Sequence, residues 1–350
     1  MTDILNTPLF LCKIIFKFKE IKTSYCLFEL NPFHIECLYS IYKFSKKRNK
    51  RITIFTTKSN IEKNIFFNKD NLTKIYTITP IVIKILDLIK FFNVFDEIFV
   101  GSYFIWYSQK TIQYYFCNFL KSNNIIKCID HDPTIHPMNT NNNIKTYVLS
   151  EFLSAKFNRP YFYTFYYPTN VPISRDNNKL ISVGVIGDKN RRDAETYLNI
   201  LKNNSSIFSY IIASDIYGSY KNKLDNLQNI EYYCKAPFEK LFECCQNATF
   251  IPFLIHGDII NNYSNRITGN INLVYGFNLI PIIDEDFATM YNLTDNEAVL
   301  YSGKKELLDA IIYSSEMSNK KVDEKIKAIS LKKKMYENTI TNIFNNYFKF

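Results

Sequence analysis

The chain has 350 residues, 47% hydrophobic and 16% aromatic, which is enough apolar surface for two or three packed domains and excludes a disordered chain. Its 43 basic and 33 acidic residues leave a net charge of +10, which suits polyphosphates, nucleic acid or an anionic surface without choosing among them. No window reaches the roughly 18 uncharged apolar residues of a membrane-spanning helix. The opening MTDILNTPLF lacks the order of a secretory leader, so a cytoplasmic location is expected.

From the N-terminus, Cys12–Lys19 alternates partly and reads as an extra strand. Apolar, β-branched runs then predict strands at Tyr25–Leu30, Arg51–Thr57, Lys74–Thr79, Glu97–Gly101 and Ile125–Asp130, with helices between them, including Phe33–Lys47 and Ile81–Phe92. Lys84, Asp87 and Lys90 recur at three-residue spacing, which predicts one polar face on an amphipathic helix packed against a core. The stretch YFYTFYYPTNVPISRDNNK from Tyr161 has two prolines and no helical period, and reads as a domain boundary. A second strand series follows at Leu180–Ile186, Ile207–Ala213, Asn229–Tyr233, Ala248–Phe253 and Leu279–Ile283. From about Lys304 the chain reads as helical, and its last aromatics, with Phe344 among them, are expected to pack on the first domain.

This alternation predicts an α/β protein with two parallel sheets: residues 1–172, residues 180–325 and a terminal helical segment 326–350. The eight cysteines form no CxxC pair and no metal-ligand spacing, so they read as reduced core residues and no metal is expected. Basic residues are scattered rather than grouped with aromatics, so no nucleic-acid partner is expected. Peripheral contact with a membrane surface stays open.

Open α/β sheets bind ligands outside the carboxyl ends of their strands. In the second series that edge carries Gly187, Lys189, Arg191 and Arg192 after Leu180–Ile186, and His256, Asp258 and Tyr263 in the loop after Ala248–Phe253. Thr268, Gly269 and Asn270 open the next helix, where free amides and a missing side chain suit an anionic oxygen, although Thr and Asn also cap helices. In the first series the same edge carries His34, Glu36, His131 and Asp132, with His136 nearby. Of these, His34, His131 or Asp132 would orient or deprotonate an acceptor hydroxyl.

NPFHIECLYSIYKFSKKRNKRITIFTT, IDHDPTIHP and YSNRITGNINLVYGFNLIPII, in that order, resemble landmarks of GT-B fold glycosyltransferases, especially the retaining glycogen-synthase-like clan. The resemblance covers nearly the full length. It implies two Rossmann-like domains facing a central cleft, a nucleotide-sugar donor held by the second domain, a terminal helix crossing back to the first and no obligatory metal. By position, Lys189 matches the lysine after the first donor-domain strand. Thr268–Asn270 match the small-residue loop at the diphosphate, in a donor segment that also carries Tyr263 and Arg266, and His131 and Asp132 match an acceptor-side pair. The clan's acidic pair, separated by seven residues, would fall on Arg266 and Val274, neither acidic.

The leading expectation is transfer of a sugar from a nucleotide-diphosphate sugar to a glycan or glycoconjugate hydroxyl, with no cofactor beyond the donor. A nucleotide-sugar 2-epimerase and a catalytically degenerate GT-B scaffold that binds glycan or a partner are the alternatives.

Overall fold

The computed structural model describes residues 25–31, 34, 36–62, 71–95, 97–105, 110–121, 125–134, 143–161, 163–165, 178–187 and 191–347. The expected Cys12–Lys19 strand, His136 and Lys189 lie outside them. The described residues divide into two units. One holds those up to Leu149 with Phe157–Thr164 and the chain's end from Ile343, and the other holds Ser150–Lys156 with Phe165–Asn342.

The first unit is built on β1 (Tyr25–Glu29), β2 (Ile52–Thr56), β3 (Thr73–Thr77) and β4 (Glu97–Val100), followed by a small antiparallel hairpin of β5 (Phe104–Ile105) and β6 (Lys110–Thr111), then β7 (Ile126–Ile129) and β8 (Ile144–Tyr147). Its six-stranded sheet runs β3-β2-β1-β4-β7-β8, all parallel, with Tyr25 registered against Ile52 on one side and Glu97 on the other. The central strands YCLFE and ITIFT are buried along their whole length, as strands covered on both faces must be. Sequence periodicity places β1 to β4 and β7 within one or two residues. It misses β8 and the hairpin, because IKTY is short and half polar and the hairpin strands are two residues each.

Two helices flank this sheet on either side of β2 and β3: α1 (Cys37–Lys47), which leads into β2, and α2 (Pro80–Leu88), which follows β3. Pro80 stands at the first position of α2, where its missing N–H costs nothing, and the Thr79 hydroxyl caps the Val82 amide at 3.4 Å. The expected polar face is corrected by the structure at Asp87, which is buried, whereas Lys84 is half-buried, Lys90 is exposed and the apolar Ile81 and Leu88 are exposed with it. Asp87 turns inward because it accepts hydrogen bonds from the Asn118 and Phe119 amides at 2.8 and 3.0 Å, tying α2 to the turn before Leu120. At the chain's end, Phe344 stacks on Phe44 of α1 with ring centroids 4.2 Å apart.

The second unit repeats the plan with β9 (Leu180–Ile186), β10 (Ser209–Ile216), β11 (Ile230–Cys234), β12 (Phe250–Pro252), β13 (Ile280–Asp284) and β14 (Val299–Tyr301). The order is β11-β10-β9-β12-β13-β14, again all parallel. Counted within each sheet, both read 3-2-1-4-5-6, the doubly wound order in which connections leave the first and fourth strands toward opposite faces and open a crevice at their carboxyl ends. Helices α3 (Ala194–Asn203), α4 (Phe238–Asn247), α5 (Asn270–Phe277), α6 (Gly303–Ser315) and α7 (Asn319–Tyr347) connect or follow these strands. Among the described residues no helix is long and apolar enough to cross a membrane.

Removing the Asp87 carboxylate leaves two backbone amides without acceptors. Asp87→Ala is therefore expected to cost about 2–4 kcal/mol in a urea unfolding experiment. Leu88→Ala, on the exposed face, should stay within about 0.5 kcal/mol, and equal losses for the two variants would refute this account of the helix.

Candidate functional site

In the second unit, β9 ends at Gly187, whose φ is +92°, and an added Cβ would lie 2.8 Å from the Tyr220 ring. Glycine is thus demanded here by backbone and by packing, not only by access for a ligand. Within the strand, Gly184 leaves room for the Arg192 side chain, whose Nε would stand 3.4 Å from a Cβ.

Arg192 is the hub of this edge. It donates from Nη1 to the Tyr263 hydroxyl and, at 2.7 Å, to the Arg191 carbonyl, and from Nη2 to Thr268 Oγ1 at 3.0 Å. Its Nε is buried without a partner. Every acceptor it has is a neutral oxygen, and no carboxylate pairs with it among the described residues. The loop cation that the structure places at the helix start is therefore Arg192, whereas the expected Arg191 is exposed.

Thr268 is buried, and its amide donates to the Tyr291 hydroxyl at 3.0 Å. Gly269 is the N-cap residue of α5, supplies no side-chain cap, has an ordinary φ of −62° and faces open space. Thr268 serves the first turn in its place, its hydroxyl accepting from the Asn270 amide at 3.4 Å and its carbonyl from the Ile271 amide at 3.3 Å, so that exposed Gly269 marks the accessible positive end of the helix. Asn270 is buried, with its Nδ2 lacking a partner. Arg266 is exposed and donates to the Asn262 carbonyl at 2.7 Å, and Asp258 is exposed in the first turn of the 3-10 segment Gly257–Tyr263.

His256 is buried, with Nε2 3.0 Å from Asp193 and Nδ1 3.3 Å from the Tyr301 hydroxyl, so both ring nitrogens are engaged inside the unit. Asp193, which the sequence reading did not single out, also caps α3 by accepting from the Thr196 amide at 3.2 Å and lies 3.3 Å from Lys304 Nζ. Burial alone would push its carboxyl up, but the bonds from His256, Thr196 and Lys304 outweigh it and hold the group well below the ordinary range. The available signal was an Asp directly before a helical run, where its side chain caps the amide two or three residues on, here that of Thr196.

In the first unit, the loop after β1 and the loop after β7 bring His34 and His131 together with stacked rings, centroids 4.0 Å apart and planes 25° off parallel. His131 Nε2 lies 2.8 Å from the Gly101 carbonyl just past β4 and 3.4 Å from the Ser102 hydroxyl. His34 Nδ1 is 3.6 Å from Glu36. Asp132 turns away, accepting from the Thr134 amide at 3.3 Å and from its hydroxyl at 2.5 Å, a local turn in place of a partner for either histidine.

What the sequence reading missed is Glu29, fully buried at the end of β1 and accepting from the Asn31 amide at 2.6 Å and the Ser102 hydroxyl at 2.9 Å. Its carboxyl occupies the space a side chain at Gly101 would need. Burial pushes Glu29 up to about 8 despite those two hydrogen bonds, with the Glu36 charge adding to the rise.

No protein-family model matches the sequence, and no curated protein is similar to it in sequence. Solved structures are similar over nearly the whole chain. They include HepE of Anabaena in complex with UDP (8% identity, TM-score 0.59, covering 93% of this chain and 100% of that one). The trehalose-6-phosphate synthase OtsA is another (9%, 0.56, 92% and 99%), as is UGT89C1 of Arabidopsis thaliana complexed with UDP (11%, 0.51, 92% and 99%). With two doubly wound parallel sheets in sequence, this likeness identifies the fold as that of GT-B glycosyltransferases, as the sequence landmarks implied.

A carboxyl raised in the fold binds its proton more tightly there than in the unfolded chain. Its contribution is present below the unfolded value near pH 4.3 and lost as pH rises through about 8. Wild-type stability to urea should therefore decline from pH 5 to pH 9, and Glu29→Gln should flatten that decline. An unchanged slope in the variant would remove Glu29 as its source.

Proposed function

We propose that the protein is a Leloir glycosyltransferase. In this reading it moves a sugar from a nucleotide-diphosphate sugar to a hydroxyl of a glycan or glycoconjugate. The donor diphosphate binds the second unit at Arg192, Thr268, Gly269 and Asn270, with Lys189 and Arg191 as further cations of the same loop.

One observation carries this reading. Among the described residues, a guanidinium bonded to neutral oxygens and to no carboxylate is set against the start of α5 through Thr268, so two positive ends meet there. An anion at that point offsets both, and a diphosphate reaches both at once. That HepE and UGT89C1 were each solved with UDP agrees with this reading.

Charge builds on the diphosphate as the sugar bond breaks, and fixed cations and helix amides are better complements to that leaving group than to the intact donor. On this account turnover needs no metal. His256, Asp193, Tyr301 and Lys304 hold the loop that carries Arg192, since Asp193 is its chain neighbour and caps α3. In the first unit, His34 and His131 are the candidates to take the acceptor proton, with Ser102 and the Gly101 carbonyl orienting His131.

The test is incubation with a panel of sugar nucleotides with and without glycan acceptors. Acceptor-dependent release of nucleoside diphosphate, undiminished by EDTA, is expected, and Arg192→Ala should weaken donor binding at least about tenfold, the scale of a lost charge-assisted hydrogen bond. An isomerised sugar nucleotide without acceptor would instead indicate epimerisation. Absence of binding to any sugar nucleotide would end the enzymatic reading.

A further inference from the structure

We propose that His34, Cys37 and His131 of the first unit form a binding site for a thiophilic divalent cation of the zinc type, and that an ion held there blocks transfer by occupying the imidazoles proposed above for the acceptor. The first half stands on the geometry of the cluster. Only the inhibitory consequence rests on the glycosyltransferase reading.

One ligand atom from each of the three side chains lies within 4.8 Å of the other two. Two imidazoles and a thiolate are a donor set that favours zinc and its neighbours over calcium or magnesium, which prefer oxygen. Tetrahedral zinc with bonds of about 2.0–2.3 Å separates its ligand atoms by roughly 3.3–3.8 Å. The ligand atoms thus have to draw in by about 1–1.5 Å, and because an imidazole binds a metal in its own ring plane the His34 ring also has to turn off the His131 ring it stacks on, a movement open to a side chain 35% exposed in the loop before α1.

The surroundings orient the ligands as well as gathering them. A carbonyl oxygen only accepts, so the 2.8 Å contact with the Gly101 carbonyl puts the proton of His131 on Nε2 and makes Nδ1 its lone-pair nitrogen. Metal-bound histidines characteristically show this arrangement, one nitrogen on the ion and the other on a carbonyl or carboxylate.

Cys37 supplies the third donor from the first position of α1, three residues after His34, and it is buried. As the metal–sulfur bond forms, the Sγ–H bond breaks and its proton passes to solvent, one per ion bound. The sequence reading found no metal-ligand spacing because His131 lies far along the chain, and the order β1-β4-β7 alone brings it to His34 and Cys37.

Titrating the full chain, stripped with chelator, with cobalt(II) reads this site directly. The expected result is a saturable near-ultraviolet thiolate-to-cobalt charge-transfer band at one equivalent, displaced by zinc. Cys37→Ser should abolish the band, and His131→Ala should weaken binding at least about tenfold. Near-ultraviolet circular dichroism of each variant establishes that it is folded, and Cys37→Ala serves if the serine variant is not.

No band in the wild type would overturn the site, as would a band that survives in folded Cys37→Ser and so belongs to another cysteine, such as exposed Cys117 or Cys234. Loss of acceptor-dependent transfer at one equivalent of zinc supports the inhibitory half, and transfer that continues with the site loaded overturns it. Cobalt binding without any transfer activity leaves the site standing and counts against the glycosyltransferase reading alone.

Discussion

An arginine with no carboxylate on it among the described residues is the constraint from which the second unit is best understood. Arg192 crosses from the loop after β9 to the start of α5 and bonds to Thr268, Tyr263 and the Arg191 carbonyl, oxygens that carry no charge. Placing a cation beside the positive end of a helix is unfavourable in the unliganded protein. The structure sustains it through neighbouring contacts: the side chain packs over Gly184, Asp193 caps α3 one residue later, and His256 and Lys304 secure Asp193. The result is a positive edge held in place by neutral partners, the feature on which the proposed diphosphate site rests.

The two units share one topology and use it differently. In each, the strand order places the first and fourth strands side by side, so the loops that follow them line one crevice. In the second unit the lining includes Arg192 and the start of α5. In the first it gathers a buried carboxyl, a hydroxyl, a thiol and two stacked imidazoles from the ends of β1, β4 and β7 and the start of α1. The first edge therefore suits proton transfer and soft-metal coordination, and the second suits anion binding.

Much of the fold was legible in the sequence because buried parallel strands are continuous apolar runs, and ISVGVI or CLFEL reads the same in any context. The short edge strands were not, since IKTY and VLY carry too few residues to show a period. Asp87 was misassigned because helical spacing alone cannot tell a solvated carboxylate from one that turns inward to cap a neighbouring turn. At the sites, Thr268, Gly269 and Asn270 were legible as the opening of a helix, and His34 and His131 as residues at strand ends. Glu29 and Cys37 were hidden inside apolar runs, and which of Arg191 and Arg192 reaches Thr268 and Tyr263 is decided by contacts that only folding creates.

The central claim is that the edge formed by the β9 loop and the start of α5 is an anion site that takes the donor diphosphate. Hydrogen–deuterium exchange with and without a nucleoside diphosphate tests it most directly, because backbone amides at that edge are themselves part of the proposed binding surface. The account predicts slowed exchange in peptides covering Gly187–Asp193 and Arg266–Asn272. Binding that leaves both peptides unprotected, or protects a different edge of the second sheet, would contradict it.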